Sequence, residues 1–135
     1  MEKTLILKND IAEISRLSEF IEKVGEEFML TPDLVFNLNL VLEEAVSNVI
    51  FYAYPKEVYE NITLSLKKDD NMLIFVLTDS GKEFDPTLIP DADVTLSAEQ
   101  REIGGLGIFL IRQIMNTVEY QRIEGRNVLT LRKEI

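Results

Sequence analysis

Glu44 and Asn48 stand four residues apart in a stretch with helical apolar periodicity, so both side chains should lie on one helix face, one turn apart. A carboxylate beside an amide oxygen suits a hydroxyl or water nucleophile held near Mg²⁺, a hard cation that prefers oxygen ligands. A solvated polar stripe would show the same pair. Asn is a mediocre helix former, which favours a buried or liganding role for Asn48.

Asp79 follows a hydrophobic, strand-like run and precedes Gly81, within a polar stretch that continues through Phe84 to Pro86. A carboxylate at the end of a strand, followed by a glycine turn, can point into a pocket. It can accept a hydrogen bond there from an exocyclic amine such as that of adenine. An ordinary polar turn would have the same composition.

A glycine cluster, Gly104-Gly105-Leu106-Gly107, opens a predicted helix and holds three of the six glycines of the chain. Glycines there let backbone N–H groups approach an anion, and a helix N-terminus favours negative charge. A flexible helix cap would also use glycines. The cluster is neither a Walker A loop, because no Gly-Lys-Ser/Thr follows, nor a dinucleotide fingerprint, because position 110 is leucine.

Composition narrows the chemistry further. The net charge of −10 argues against broad nucleic-acid binding, which demands clustered Lys and Arg. The chain has no histidine, which excludes a histidine base, metal ligand or phosphoacceptor, and no cysteine, which excludes disulfides and thiolate metal sites. No apolar run approaches the ~20 residues that cross a bilayer, so we expect a cytoplasmic protein. The 135 residues suit one domain, 1–135.

The elements that must position these residues follow from periodicity and turn chemistry. Residues 4–7 predict an edge strand and residues 11–29 a helix. Thr31-Pro32-Asp33 predicts the start of a second helix that ends near Tyr54-Pro55. Residues 61–66 and 72–78 predict a hairpin with a charged tip, residues 79–102 a loop, and Gly104 the start of a third helix. Residues 118–123 and 128–133 predict a second hairpin around a turn at 124–127. This order predicts an α+β fold, a two-layer sandwich with helices on one face of a mixed, mostly antiparallel sheet.

Together these segments resemble the GHKL ATPase superfamily with the Bergerat fold, and most closely its RsbW-like anti-sigma-factor serine/threonine kinases. Residues 40–48 resemble the N-box. Asp79-Ser80-Gly81 with Phe84-Asp85-Pro86 resembles the G1 box, and residues 104–110 the G2 box. The threonine that relatives often carry on the last strand near the adenine is missing, and Asn127 and Val128 lie closest to its place.

The resemblance implies a role for each matching residue. Glu44 would be the general base, and Asn48 the protein ligand to Mg²⁺. Asp79 would bind the adenine amino group, and Gly81 would give the base room. The full set implied to hold ATP comprises Asn48, Asp79, Gly81, Phe84, Gly104, Gly105, Leu106 and Gly107.

The resemblance also implies an ATP-dependent serine kinase that works by partner switching. It would phosphorylate a STAS-type anti-sigma-factor antagonist, sequester a sigma factor and form a homodimer. A nucleotide-binding protein that sequesters its partner without transferring phosphate is the alternative. Residues 87–102 are expected to form a lid that orders around the γ-phosphate, with Arg101 able to reach it.

Overall fold

The computed structural model describes residues 2–55, 58–88 and 105–135 of the chain. Its elements in chain order are β1 (Glu2–Lys8), α1 (Ile14–Glu27), α2 (Pro32–Asn48), β2 (Asn61–Asp69), β3 (Met72–Asp79), α3 (Gly105–Ile114), β4 (Thr117–Ile123) and β5 (Arg126–Glu134). Short 3-10 turns at Ile11–Glu13 and Pro86–Leu88 and a π-helical turn at Val49–Ala53 complete them.

The five strands form one sheet in the order β1-β2-β3-β5-β4. The predicted α+β class is confirmed, and every pairing between these strands is antiparallel where a mixed sheet was expected. Alternate residues of β3 are buried, as are those of β2 and β5, and they form one core with the apolar sides of the three helices. This alternation is typical of a sheet with one covered face.

Helix α2 begins where the sequence predicts but ends at Asn48, and the π-helical turn Val49–Ala53 continues to the predicted end near Tyr54-Pro55. Thr31 Oγ1 accepts a hydrogen bond from Leu34 N at 3.2 Å, with Pro32 in the first turn. Regular α geometry ends at Asn48, and the π-helical turn carries the chain to Tyr54. By length and mean hydropathy (1.4) the segment Pro32–Ala53 passes as a candidate membrane span, the only one among the described residues. Its buried side forms part of the core described above, which is a sufficient reason for its apolar character.

The two hairpins have tighter turns than the sequence predicts. The first turn is Asp70-Asn71, so the charged residues Lys67 and Lys68 belong to β2. The second is Glu124-Gly125, with φ of 48° and 76°, a pair of positive angles typical of a two-residue type I′ turn. The predicted turn at 124–127 is therefore wrong in length, and Asn127 lies within β5.

The predicted loop at 79–102 is described only in part. Its first ten residues contain the 3-10 turn Pro86–Leu88, and Arg112 on α3 donates a hydrogen bond to Thr87 O at 2.6 Å. Residues 89–104 lie outside the described residues. The expected lid, Arg101 and Gly104 therefore stay predictions.

Candidate functional site

A small pocket, with a cavity volume of about 20 Å³, lies where α2, α3 and the ends of β3 and β5 meet. Three of the predicted site residues, Asn48, Asp79 and Phe84, line it. The other lining residues are mostly apolar: Ala45, Val49, Leu77, Pro86, Ile111, Tyr120, Asn127 and Leu129. An apolar pocket with a few convergent polar groups is the usual form of a small-molecule site.

Asp79 is the last residue of β3 and is 3% exposed. Its Oδ1 accepts two hydrogen bonds of 2.9 Å, one from Gly81 N and one from Asn127 Nδ2. Burial raises the pKa of this carboxyl, and the two hydrogen bonds and the nearby Arg122 guanidinium oppose that rise. The two hydrogen bonds to Oδ1 thus hold the carboxyl group in place, while burial of the charged group costs desolvation free energy.

Gly81 is required by a close approach of backbone to backbone. A Cβ at this position would overlap the carbonyl oxygen and the Cβ of Ala53, the last residue of the π-helical turn. The neighbouring Lys82 N donates to the same Ala53 O at 2.8 Å, and Ser80 N donates to Tyr54 Oη at 2.9 Å. The end of α2 and the turn after β3 are therefore joined directly, which the sequence did not indicate.

Asn48 lies at the junction between the regular part of α2 and the π-helical turn, a type of irregularity that is frequent at functional sites. Its side chain lines the pocket and the residue is 5% exposed. Among the described residues its Nδ2 has no hydrogen-bond partner. A buried amide left unpaired costs about 1–3 kcal/mol, so this group calls for a polar partner beyond the described residues.

Glu44 is half-buried one turn before Asn48 on α2, and it does not line the pocket. Its carboxylate lies against Gly107 near the start of α3, where a Cβ on Gly107 would overlap Oε1, Cδ and Cγ of Glu44. Burial raises the pKa of Glu44. Gly105 and Leu106 belong to the first turn of α3, and of the glycine cluster the structure places Gly107 beside Glu44.

Phe84 forms one wall of the pocket. Its ring stacks on Tyr52 with centroids 5.5 Å apart and an interplanar angle of 21°, and its N–H donates to Asn127 Oδ1 at 3.1 Å. The segment after Gly81 is thus fixed both from α2 and from β5.

Sequence reasoning gave no role to Asn127, Tyr120 and Arg122, which the structure places at the same pocket. Tyr120 and Asn127 line it, and both Tyr120 Oη and Arg122 Nη1 donate to Asn127 Oδ1. Arg122 Nη1 also donates to Gly81 O at 2.9 Å. A two-residue turn at Glu124-Gly125 was the available signal for one of these contacts, because it sets Asn127 opposite Arg122 on β4. The pairing of Asn127 with Asp79 on β3 comes from the register of two strands that are not consecutive in the chain.

The chain belongs to the histidine kinase-like ATPase domain family, which it matches over residues 7–133. It is 32% identical over 98 residues to the serine/threonine-protein kinase BtrW of Bordetella bronchiseptica, covering 73% of this chain and 69% of that protein. It is 28% identical over 126 residues to the serine-protein kinase RsbW of Listeria monocytogenes, covering 90% and 79%. The RsbW of Halalkalibacterium halodurans is 25% identical over 129 residues, covering 93% and 77%.

Proposed function

We propose that this chain is an ATP-dependent protein serine kinase and anti-sigma factor that phosphorylates a STAS-type antagonist and sequesters a sigma factor. The observation that carries the proposal is the buried, unpartnered amide of Asn48, one helical turn from the half-buried Glu44. Membership of the ATPase family and the names of the serine-kinase relatives support it.

The base end of the site (Asp79, Gly81 and Asn127) would hold adenine. Asp79 Oδ1 is occupied by two protein donors, so a ligand amine would approach Oδ2. An ionised carboxylate only accepts hydrogen bonds, which suits the exocyclic amine of adenine. The apolar lining from Leu77, Ile111 and Leu129 would contact the faces and edges of the ring.

The phosphate end of the site (Glu44, Asn48 and Gly107) would hold the polyphosphate and its metal ion. Among the described residues no group of three or more acidic, histidine or cysteine side chains could hold a metal. Mg²⁺ is commonly bound by one or two protein oxygens together with substrate phosphates, so the amide oxygen of Asn48 fits this role. Mg²⁺ would neutralise charge on the phosphates, while Asn48 Nδ2 would donate to a phosphate or water oxygen and gain its missing partner.

Glu44 would act as the general base. In the proposed step the serine hydroxyl oxygen attacks the γ-phosphorus, the bond to the β–γ bridging oxygen breaks, and Glu44 takes the hydroxyl proton. ADP leaves with the bridging oxygen. Burial raises the pKa of Glu44, which brings a carboxylate closer to the range where general bases work best near neutral pH. Its contact with Gly107 puts it beside the helix start that would receive the phosphates.

A sequestering protein that binds nucleotide without transferring phosphate is the second candidate. It would need the base end and Asn48 but not a carboxylate at position 44. The half-buried carboxylate of Glu44 has no ion-pair or hydrogen-bond partner within the part of the chain that the structure describes, so it contributes little to holding the fold. Burial of a carboxylate without a partner costs free energy, so the presence of Glu44 here favours a catalytic role over a structural one.

The test is transfer of a traceable phosphoryl group. The purified chain is incubated with Mg²⁺, ATPγS and dephosphorylated cytosol of its source, and thiophosphorylated peptides are identified by mass spectrometry. We expect one dominant serine site on a small STAS-type protein, absent when Mg²⁺ is chelated. Binding of ATP by calorimetry with no labelled serine would instead support the sequestering candidate.

The same proposal covers the domain, its location in the cell and its oligomeric state. Residues 1–135 would form one kinase domain that works in the cytoplasm as a homodimer. The sigma factor and the antagonist would compete for it according to the bound nucleotide. A pull-down from native cytosol with ATP or with ADP would identify which protein binds in each state, and sedimentation would give the oligomeric state.

A further inference from the structure

Asn127 stands in the middle of a row of polar residues that crosses three adjacent strands. In the register of the sheet it pairs with Asp79 on β3 and with Arg122 on β4. All three residues lie at the pocket end of the sheet, and Asn127 is only 5% exposed. A buried amide in such a row must find partners for both its oxygen and its nitrogen.

The amide of Asn127 uses its whole hydrogen-bonding capacity within the protein. Its Nδ2 donates twice, to Asp79 Oδ1 and to Lys82 O, each at 2.9 Å. Its Oδ1 accepts from three donors: Phe84 N at 3.1 Å, Arg122 Nη1 at 3.1 Å and Tyr120 Oη. An amide nitrogen carries only two hydrogens, so Asn127 has none left for a ligand.

This network also fixes which way the amide faces. Rotating it by half a turn would put its oxygen against the carboxylate of Asp79 and the carbonyl of Lys82. The same rotation would put its nitrogen against two N–H donors, and only the Tyr120 hydroxyl could turn to accept from it. Four hydrogen bonds would be lost at once, and buried groups left unpaired cost about 1–3 kcal/mol each. Asn127 therefore presents a donor, and never an acceptor, to Asp79.

Because the Asn127 amide always presents its N–H to Asp79, it determines which hydrogen-bonding group the base end offers to a ligand. Asp79 Oδ1 is filled by Gly81 N and Asn127 Nδ2, which leaves Oδ2 as its free atom. Without a proton, Oδ2 can only accept, so it favours a ligand that offers an N–H at this place and disfavours one that offers a carbonyl oxygen. Purines with a 6-amino group satisfy it, whereas purines with a 6-oxo group put two acceptors together.

We propose that Asn127 is a positioning residue that keeps Asp79 acceptor-only and thereby makes this site select adenine over guanine nucleotides. The inference rests on the proposed nucleotide-binding function. Asn127 does not touch the base through a hydrogen bond of its own; it acts through Asp79. Its role is therefore visible in the ratio of two affinities, since a merely structural residue would change both alike.

The experiment measures dissociation constants for ADP and GDP by calorimetry on four folded proteins: the unchanged chain, Asn127→Asp, Asn127→Ala and Asn127→Ser. Folding is checked by thermal unfolding followed by circular dichroism. Asn127→Asp sets a second carboxylate against Asp79, and two close carboxylates do not both ionise, so one of them holds a proton. When that proton lies on Asp79 Oδ2 it can be donated to a 6-oxo group, so the ADP preference should fall about tenfold or more.

Asn127→Ala keeps the test decisive if Asn127→Asp does not fold. It removes one of the two donors to Asp79 Oδ1 and leaves Gly81 N to hold that oxygen alone, so the preference should fall by a smaller factor. Asn127→Ser restores a hydroxyl donor and should recover most of it. Asn71→Ala, on the exposed turn of the first hairpin and away from this pocket, is the matched control and should leave both affinities unchanged.

The outcomes separate the inference from the proposed function. Equal losses of ADP and GDP affinity in all the Asn127 variants, at an unchanged ratio, would overturn the positioning role while leaving nucleotide binding intact. An unchanged chain that binds ADP and GDP equally well would overturn it too. A chain that binds neither nucleotide would overturn the proposed function and this inference together.

Discussion

The base end and the phosphate end of the site differ in how far the protein satisfies its own polar groups. At the base end, Asp79 and Asn127 are buried and bonded to each other, to the backbone and to Arg122. At the phosphate end, Asn48 Nδ2 is buried without a partner among the described residues, and the half-buried carboxylate of Glu44 lies against Gly107. At the base end the protein pairs its own polar groups, whereas at the phosphate end a ligand would have to pair them.

The difference predicts that the two ends of the site have different functions. A base end whose polar groups are already hydrogen-bonded needs no rearrangement when a ligand binds, so it would contribute affinity and selectivity. In the proposed function, Asn48 at the phosphate end would gain its partners when phosphates and Mg²⁺ bind, whereas Glu44 would act only during the transfer step. Changes at the base end should therefore alter binding, and changes at the phosphate end should alter transfer.

The largest expected effect is that of Glu44→Gln. Loss of a general base typically slows a reaction by about 10²–10⁴-fold, so serine phosphorylation should fall by that order. ATP affinity should stay within several fold, because the carboxylate faces the nucleophile. Single-turnover phosphorylation and calorimetry measure the two quantities separately. Glu43→Gln is the matched control: Glu43 is the preceding residue and accepts a hydrogen bond from Ser18. If Glu44→Gln phosphorylated serine at the normal rate, the proposed difference between the base end and the phosphate end would be wrong.

Asp79→Asn should act on binding. Replacing one carboxylate oxygen by an NH₂ group introduces a donor facing the adenine amine, at a cost of about 1.5–3 kcal/mol, or roughly 10–100-fold in Kd. Calorimetry with ADP checks this, and Asp69→Asn on the exposed end of β2 serves as control. An unchanged ADP affinity in Asp79→Asn would remove Asp79 from the base end.

Two glycine substitutions should separate fold stability from phosphate binding. Gly81→Ala forces a Cβ into the rigid backbone of Ala53 and should destabilise the protein by about 1–3 kcal/mol. In Gly107→Ala the atoms nearest to the added Cβ are Oε1, Cδ and Cγ of the Glu44 side chain, which can move, and alanine favours helix by about 1 kcal/mol over glycine. Its unfolding midpoint should hardly fall, while displacement of Glu44 slows phosphorylation. Urea titrations and kinase assays on both variants measure this, and equal destabilisation would contradict it.

The smallest effect concerns pH and the cost of burying Asp79. Its folded pKa is raised above the ordinary value of 3.8, so the folded state binds the proton more tightly than the unfolded state. This contribution to stability is complete below that value and is lost as pH rises through the raised pKa. Nucleotide-free Asp79→Asn should therefore gain in stability relative to the unchanged chain as pH rises through this window. Unfolding in urea at a series of pH values checks the sign; a constant difference would contradict it.

The sequence predicted more of the fold than of the site. Periodicity gave all five strands and three helices, and the Thr31-Pro32 cap gave the start of α2, because these signals are local. The family match over residues 7–133 bears out the resemblance. Two features were not predictable from local signals. The contact of Gly81 with Ala53 joins residues far apart in the chain, and the role of Asn127 depends on sheet register.

The tight turn at Glu124-Gly125 has a consequence for how this chain can change over evolutionary time. One residue inserted there would move β5 against β4 or against β3, and Asn127 would lose its alignment with Arg122 or with Asp79. The turn at Asp70-Asn71 adjoins no pocket-lining residue and should accept insertions freely. Length variation among descendants of this chain should therefore collect at one hairpin tip and be absent from the other.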